Sequence, residues 1–216
     1  MSGRGTPRSL FTTRAAGDLA IDSEGVSARR AAAVDAPWSW LRQVHGARVV
    51  TVGAPGEHAG AEADGAVTAV PGAVVAVQAA DCAPVVLLAD GAVGVAHAGW
   101  RGIVAGVLPA AVAALRALGA SEVTARLGPC IHPGCYEFGA RELAEVEAAV
   151  GGAARGRTDG GGVALDLPAA AAASLETVGV ALDTSASRCT ACAADLHWSH
   201  RARGERGRQA AVAWLA

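Results

Sequence analysis

The chain has 216 residues, 52% of them apolar, and a formal net charge of −2. That is enough apolar material for one well-packed domain and gives no case for two. The sequence offers no long charge-free apolar run, no leader with a basic start and an apolar centre, and no broad excess of positive charge. It therefore argues against a transmembrane helix, a secretory signal, a nucleic-acid partner and an anionic membrane surface, and the expected location is cytoplasmic.

There is no lysine and no asparagine, and alanine and glycine are abundant. A GC-rich genome explains this bias, so arginine on the surface carries no functional signal by itself. Five cysteines in a chain without an export signal do not suggest a disulfide framework. Each must be read as core filler, ligand or nucleophile.

In chain order, the FTTR stretch reads as the start of a strand and 27–34 as a short helix. Residues 38–52 read as two β segments around a turn at His45–Gly46. The Gly- and Ala-rich 53–64 reads as a loop. Three β-branched runs, 73–79, 84–88 and 92–96, have buried-strand length. A helix is expected over 102–118, with Val104, Leu108, Ala111, Leu115 and Leu118 on one face. Pro109 would kink it and Gly119 would end it. A strand follows at 122–127, then helices at 139–150 and 168–178 on either side of a flexible 151–162. Strands at 180–183 and 210–215 close the chain. The mixture, without repeat or linker, predicts one layered mixed α/β (α+β) domain over 1–216.

Three residues lie where apolar runs end: His45 after QV, Cys82 after AD, and His97 before AGWRG. Such positions present side chains to a cleft from rigid support. A thiolate and two imidazoles suit Zn²⁺ and leave a fourth position for water. The same residues also fit a buried thiol beside two hydrogen-bonded core histidines, or a Cys82 nucleophile with His97 or His45 as its base. Copper is a weaker match, because Met1 is the only methionine and the six histidines contain no His-x-His pair.

Two further clusters stand out. In LGPCIHPGCYEFG, Cys130, His132 and Cys135 form either a metal site or a rigid loop that lines a pocket with Tyr136 and Phe138. In CTACAADLHWSHRARGERGR, Cys189 and Cys192 precede His197 and His200 in the manner of a zinc knuckle. The arginines from Arg201 to Arg208 fit an anion site or a solvated basic turn. Asp64 and Asp81 read as ligand-orienting or proton-shuttling carboxylates, or as turn residues. In VAHAGWRG, Gly99 should turn the chain, and Gly102 should open a helix whose N-terminal amides favour an anion. Trp100 should be pocket wall or core.

RQVHGARVV, EADGAVT, QAADCAPVVLLAD, GVAHAGWRGIVAGVL, GPCIHPGCYEFG and SHRARGERGRQAAVAWL occur in this order. With them the chain resembles the laccase-domain family, also described as multicopper polyphenol oxidoreductases or peptidoglycan editing factors. The resemblance implies a cytotoxic-necrotizing-factor-like, cysteine-hydrolase-type fold and one zinc ion on His45, Cys82 and His97. It implies phosphorolysis of adenosine, inosine, guanosine and methylthioadenosine, and deamination of adenosine, so that the partners are a purine nucleoside and phosphate. It suggests Arg14 and Arg29 (or Arg30) as holders of phosphate or ribose, with Arg101 or Arg201 as further candidates. Copper-dependent phenol oxidation and Cys82-dependent editing of peptidoglycan precursors are the alternatives it carries. The segment FTTRAAGDLAIDSEGVSARR is shorter than in longer relatives and lacks their asparagines, and HWSHRAR replaces an FFSYRR-like motif.

Overall fold

The computed structural model describes residues 5–216. The chain begins with β1 (Pro7–Phe11), α1 (Val26–Ala33), β2 (Trp38–Arg42), β3 (Val49–Val52), β4 (Ala61–Glu62) and β5 (Gly65–Thr68). It continues with β6 (Val74–Ala79), β7 (Ala83–Ala89), β8 (Ala92–Ala98), α2 (Trp100–Ala105), α3 (Val107–Ala117) and β9 (Val123–Leu127). The last elements are α4 (Ala140–Val150), β10 (Arg155–Arg157), β11 (Val163–Leu165), α5 (Leu167–Glu176), β12 (Leu182–Asp183), α6 (His200–Arg203) and β13 (Gln209–Leu215).

Two mixed sheets form the body. One has the order β1-β13-β6-β2-β4, the other β12-β9-β7-β8-β5-β3, and β10 and β11 make a separate hairpin. Strand side chains alternate between faces, so a buried run such as 74–77 serves two cores at once. Val75 and Val77 of β6, Val86 of β7, Val93 and Val95 of β8, and Ala211 and Ala213 of β13 fill the space between the sheets. Val74 and Ala76 of β6 and Val212 of β13 face the other way, onto Leu19, Trp38 and the flank of α1. Val85 and Leu87 of β7 and Ala96 of β8 turn toward the helices, where they meet Leu108, Val112 and Leu115 of α3, Leu143 of α4 and Leu175 of α5. The result is a mixed α/β fold of helix, sheet, sheet and helices. Each fully buried Val or Leu adds about 1.5–3 kcal/mol relative to exposure. No helix among the described residues is long and apolar enough to cross a membrane.

Several details differ from the sequence expectation: FTTR lies at the end of β1 instead of opening a strand, and the helix expected from Gly102 starts at Trp100. The long helix is two helices, because Gly106 at φ 85° breaks it; Pro109 then lies in the first turn of α3, where its missing N–H costs nothing. The expected loop at 53–64 contains the short strand β4, which pairs in parallel with β2. The stretch expected to be flexible holds β10 and leads into the hairpin with β11.

The topology gathers three chain ends at one place. β2 and β6 run parallel, so their C-terminal ends lie on the same side. The turn after β6 crosses to the other sheet and enters β7. β8 pairs antiparallel with β7, with His97 opposite Pro84 and Ala98 opposite Ala83. The residues after β2, those between β6 and β7, and the end of β8 therefore converge.

Candidate metal centre

His45, Cys82 and His97 meet there, with one donor atom from each lying within 4.8 Å of the others. Cys82 Sγ is 3.9 Å from His45 Nε2. The two imidazoles are edge to face, 4.9 Å between centroids. His97 is buried, Cys82 is half-buried and His45 is exposed, so the cluster is reached from one side.

The fully buried Asp64 builds the site. Its carboxylate accepts the backbone N–H groups of Val44 (3.1 Å), His45 (3.0 Å) and Gly46 (2.8 Å). Three consecutive amides in a turn form an anion-binding hollow, which here holds the chain's own carboxylate. This offsets the left-handed backbone of His45, at φ 59°. The same carboxylate accepts from His97 Nδ1 at 2.9 Å, and His97 N donates to Asp64 O at 2.7 Å. With Nδ1 carrying the proton toward Asp64, Nε2 is left with its lone pair toward Cys82. Burial alone would raise the Asp64 carboxyl, but the His97 N–H and the amides of Gly46 and Val44 outweigh it and hold it below the ordinary range.

Cys82 follows Asp81, whose φ of 99° is strained for a non-glycine residue. Asp81 is over-determined by its contacts. Thr190 Oγ1 and the backbone N of Arg201 each donate to its carboxylate at 2.6 Å, and Ile131 N donates to its carbonyl at 2.9 Å. Burial opposes ionisation of the Cys82 thiol, yet the His97 charge and hydrogen bonds from His45 and His97 bring it down to about 6. Burial likewise opposes charge on His97, and the Cys82 thiolate with the Asp64 carboxylate pushes it up to about 9.

Gly99 caps α2 with ordinary extended backbone at φ −70°, so conformational freedom is not what the position needs. Space is: a Cβ there would lie 2.9 Å from His45 Cδ2 and 3.1 Å from Cys82 Sγ. Gly99→Ala should leave the fold intact and lower zinc affinity about tenfold or more, as read by competition with a chromogenic chelator. Unchanged affinity would show that the ligands have slack.

A cavity of about 660 Å³ opens beside the three residues. Its walls include Ala20, Asp22, Gln43, Gln78, His200, Arg206 and Arg208. Gln43 fixes one wall, since its amide exchanges hydrogen bonds of 2.7 Å with the backbone N and O of Gln78. Gln78 Nε2 is buried and has no hydrogen-bond partner among the described residues. A buried donor without an acceptor is costly unless something polar fills the space in front of it. Sequence reasoning missed Gln78, because it reads as a mid-strand residue. The Arg206 guanidinium is exposed on the rim, with no partner among the described residues. The shortened N-terminal segment supplies part of the wall through Ala20, Ile21 and Asp22. Asp18 anchors it by accepting from Arg208 N at 2.9 Å.

Of the arginines named from sequence, Arg206 and Arg208 line this cavity, whereas Arg14, Arg29, Arg30, Arg101 and Arg201 do not. Arg14 is ion-paired with Glu205 and stacked 3.9 Å over Trp198. Arg29 folds back onto its own segment, with Nε 2.7 Å from Asp18 O and Nη2 2.7 Å from Ser23 Oγ. Arg30 is buried over the Trp40 ring. Arg101 lies over Trp100, which packs edge to face on Phe138. Arg201 lies over Tyr136 and donates to Glu137 O at 2.8 Å. Tyr136 does lie near the centre: burial and the Cys82 charge push its phenol up to about 12, while Arg201 and Arg101 pull the other way. The local cysteine clusters also regroup. Cys130 and His132 both hydrogen-bond Ser187 Oγ, whereas Cys135 joins Cys189 and Cys192.

Fold and site together define an enzyme-like α/β sandwich with a thiolate–imidazole constellation opening into a polar cavity. The chain belongs to the multi-copper polyphenol oxidoreductase laccase family, whose model matches residues 13–216. A purine nucleoside phosphorylase of Streptomyces coelicolor is 44% identical over 204 residues, covering 92% of this chain and 80% of that one. The Escherichia coli purine nucleoside phosphorylase YfiH is 37% identical over 181 residues, covering 82% and 73%. Among solved structures, a Neisseria meningitidis protein of family DUF152 superposes with a TM-score of 0.85 at 29% identity, covering 99% of this chain and 96% of that one. YlmD from Geobacillus stearothermophilus gives a TM-score of 0.83 at 26% identity, covering 100% and 94%.

Proposed function

We propose that the protein is a zinc-dependent purine nucleoside phosphorylase, acting on adenosine, inosine, guanosine and methylthioadenosine, that also deaminates adenosine. The observation that carries this reading is the opening of the His45–Cys82–His97 constellation into a cavity with an unpaired amide donor on its wall and guanidinium groups on its rim. The names of the relatives support the same reaction class. The fold expected from the resemblance, cytotoxic-necrotizing-factor-like, is part of the same proposal.

The residues fit zinc. Two imidazoles and a thiolate are donors that would hold it, and the Asp64–His97 hydrogen bond is the usual support behind a ligating histidine. Bound zinc supplies a Lewis acid and lowers the pKa of a water to about 7.

In phosphorolysis a phosphate oxygen forms a bond to the anomeric carbon while the glycosidic bond breaks and the purine leaves with a proton. The attacking dianion needs cations, and the exposed Arg206 on the cavity wall is the first candidate to hold it; Arg208 lies beside it with Nη1 already donating to the carbonyls of Glu205, Arg206 and Gly207. Gln78, on the cavity wall with a side-chain Nε2 that no described residue satisfies, is the candidate donor to the nucleoside. His200, also on the cavity wall, is a candidate to pass a proton to the departing base. Arg101 and Arg201, around Tyr136, are a second pair of candidates for the substrate anion. Arg206→Ala should raise the KM for phosphate about tenfold, and Gln78→Leu the KM for nucleoside by a similar factor, with bound zinc unchanged in both. A fall in zinc content would instead make them structural residues of the centre.

The direct test is inosine with and without phosphate. Hypoxanthine and ribose 1-phosphate, formed only with phosphate, support the proposal. Hypoxanthine and free ribose formed without phosphate would make the protein a hydrolase. One observation favours a second reading: Cys82, His97 and Asp64 also make a thiolate–imidazolium–carboxylate line, the arrangement of a cysteine nucleophile with its oriented base. A Cys82-dependent hydrolase would survive complete zinc removal and die on alkylation of the thiol; the phosphorylase would lose activity with its zinc.

A further inference from the structure

We propose that Cys135, Cys189 and Cys192 form a second metal site, structural in role, that binds one zinc ion on three thiolates. The three sulfurs lie within 4.8 Å of one another, and Cys135 Sγ is 3.3 Å from Cys192 Sγ. All three are free thiols. Cys135 comes from the turn at Pro133–Cys135, and the other two come from a distant C-x-x-C segment. Two separate segments therefore place soft donors on one point.

The surroundings favour thiolates there. Backbone N–H groups of His132, Cys192 and Ala191 lie beside the Cys189 sulfur. Amides aimed at the first cysteine of a C-x-x-C turn are what a metal-bound thiolate needs. At Cys135, contact with Cys192, then burial, pushes the thiol well up. Three sulfurs this close cannot all ionise without a cation among them. Thiolates select zinc and other soft ions over magnesium or calcium. Cys192 is exposed, so the fourth position faces solvent. Asp159 lies on that side: its backbone N donates to Gly134 O at 3.0 Å, and its charge acts on Cys192.

The site would fasten together two segments that meet again at the first centre. The loop carrying Cys135 supplies Ile131 N to Asp81, and the segment carrying Cys189 supplies Thr190 Oγ1 to the same residue. Asp81 sets the backbone of Cys82. A metal on the three cysteines would thus clamp the wall behind the His45–Cys82–His97 centre without touching it.

The test uses the full chain carrying Cys82→Ala, which removes the only thiolate of the first centre, purified under reducing conditions and loaded with Co²⁺ or Zn²⁺. The expected result is a sulfur-to-cobalt charge-transfer band in the near ultraviolet, one tightly held zinc per chain, and loss of both when Cys192→Ser is added. In the chain with Cys82 intact, Cys192→Ser alone should drop bound zinc from two equivalents to one. The thermal midpoint of that variant should no longer respond to a chelator that acts only on the second site. The cobalt band and the zinc count in Cys82→Ala depend neither on phosphorolysis nor on the first centre, so failure of the functional proposal would leave them standing. No thiolate–cobalt band and no zinc in reduced Cys82→Ala protein would overturn the proposal. So would uptake of Cu⁺ alone, or a Cys135–Cys192 disulfide whose reduction restores no metal binding.

Discussion

His97→Ala should lose one zinc equivalent and most phosphorolysis together. His97 is buried, its Nδ1 is fixed by Asp64, and its Nε2 faces the Cys82 sulfur. No neighbour can substitute for it, because the only other imidazole in the cluster is His45, itself a ligand in this account. Removing a Lewis acid that contributes several kcal/mol to a barrier lowers turnover on the order of 10³-fold. The loss should appear in kcat, since Gln78 and Arg206, the residues proposed to hold nucleoside and phosphate, are untouched. The fold should persist, with a truncation cost of about 1–3 kcal/mol at one buried position. Metal analysis, thermal melting and steady-state kinetics on the purified variant check this. Full zinc content with normal phosphorolysis would make His97 a core histidine.

Asp64→Ala should be the most destabilising single change at the site. It strips the acceptor from three backbone N–H groups and from His97 Nδ1 at once. A buried donor left without a partner costs about 1–3 kcal/mol, and the left-handed His45 backbone loses its support. The combined cost is on the order of 4 kcal/mol or more, against a total stability of about 5–15 kcal/mol for a domain. Asp64→Asn keeps the volume but turns one acceptor oxygen into a donor aimed at donors. It should melt lower than the parent and bind zinc about 10–100-fold more weakly. The pH dependence follows from sign. The folded carboxyl lies below its unfolded value of about 3.9, so its contribution is complete above that value and is lost as pH falls through the depressed folded one. Acid unfolding of the parent should therefore steepen below about pH 4, and Asp64→Asn should lack that component. Equal melting of parent and Asn variant across the acid range would remove Asp64 from its central place.

The strand pattern and the three ends that carry His45, Cys82 and His97 were legible because apolar runs stop there at residues that a core does not favour. The convergence of those ends was not legible. It depends on β6 and β2 being parallel in one sheet while β7 and β8 are antiparallel in the other. Asp64 read either as a ligand-orienting or proton-shuttling carboxylate or as a turn residue, and nothing local decides between them, because its partners lie 18 to 33 residues away in sequence. Arginine was uninformative in a lysine-free chain, and Arg14 and Arg29 prove to be tied to Glu205 and to the segment beginning at Asp18. Local spacing grouped Cys135 with Cys130 and His132; the fold groups it with a C-x-x-C far along the chain. Pro109 drew attention as the helix disruptor, yet Gly106, three residues earlier, is where the helix breaks.

The most direct measurement is a zinc titration into metal-stripped protein, followed by phosphate-dependent release of hypoxanthine from inosine, with Cys82→Ala run in parallel. The account predicts that the stripped protein is inactive and that activity returns as the His45–Cys82–His97 centre fills. Ribose 1-phosphate should form as the second product, and Cys82→Ala should stay inactive at every zinc concentration. Full phosphorolysis by the stripped protein, or by Cys82→Ala, would contradict it.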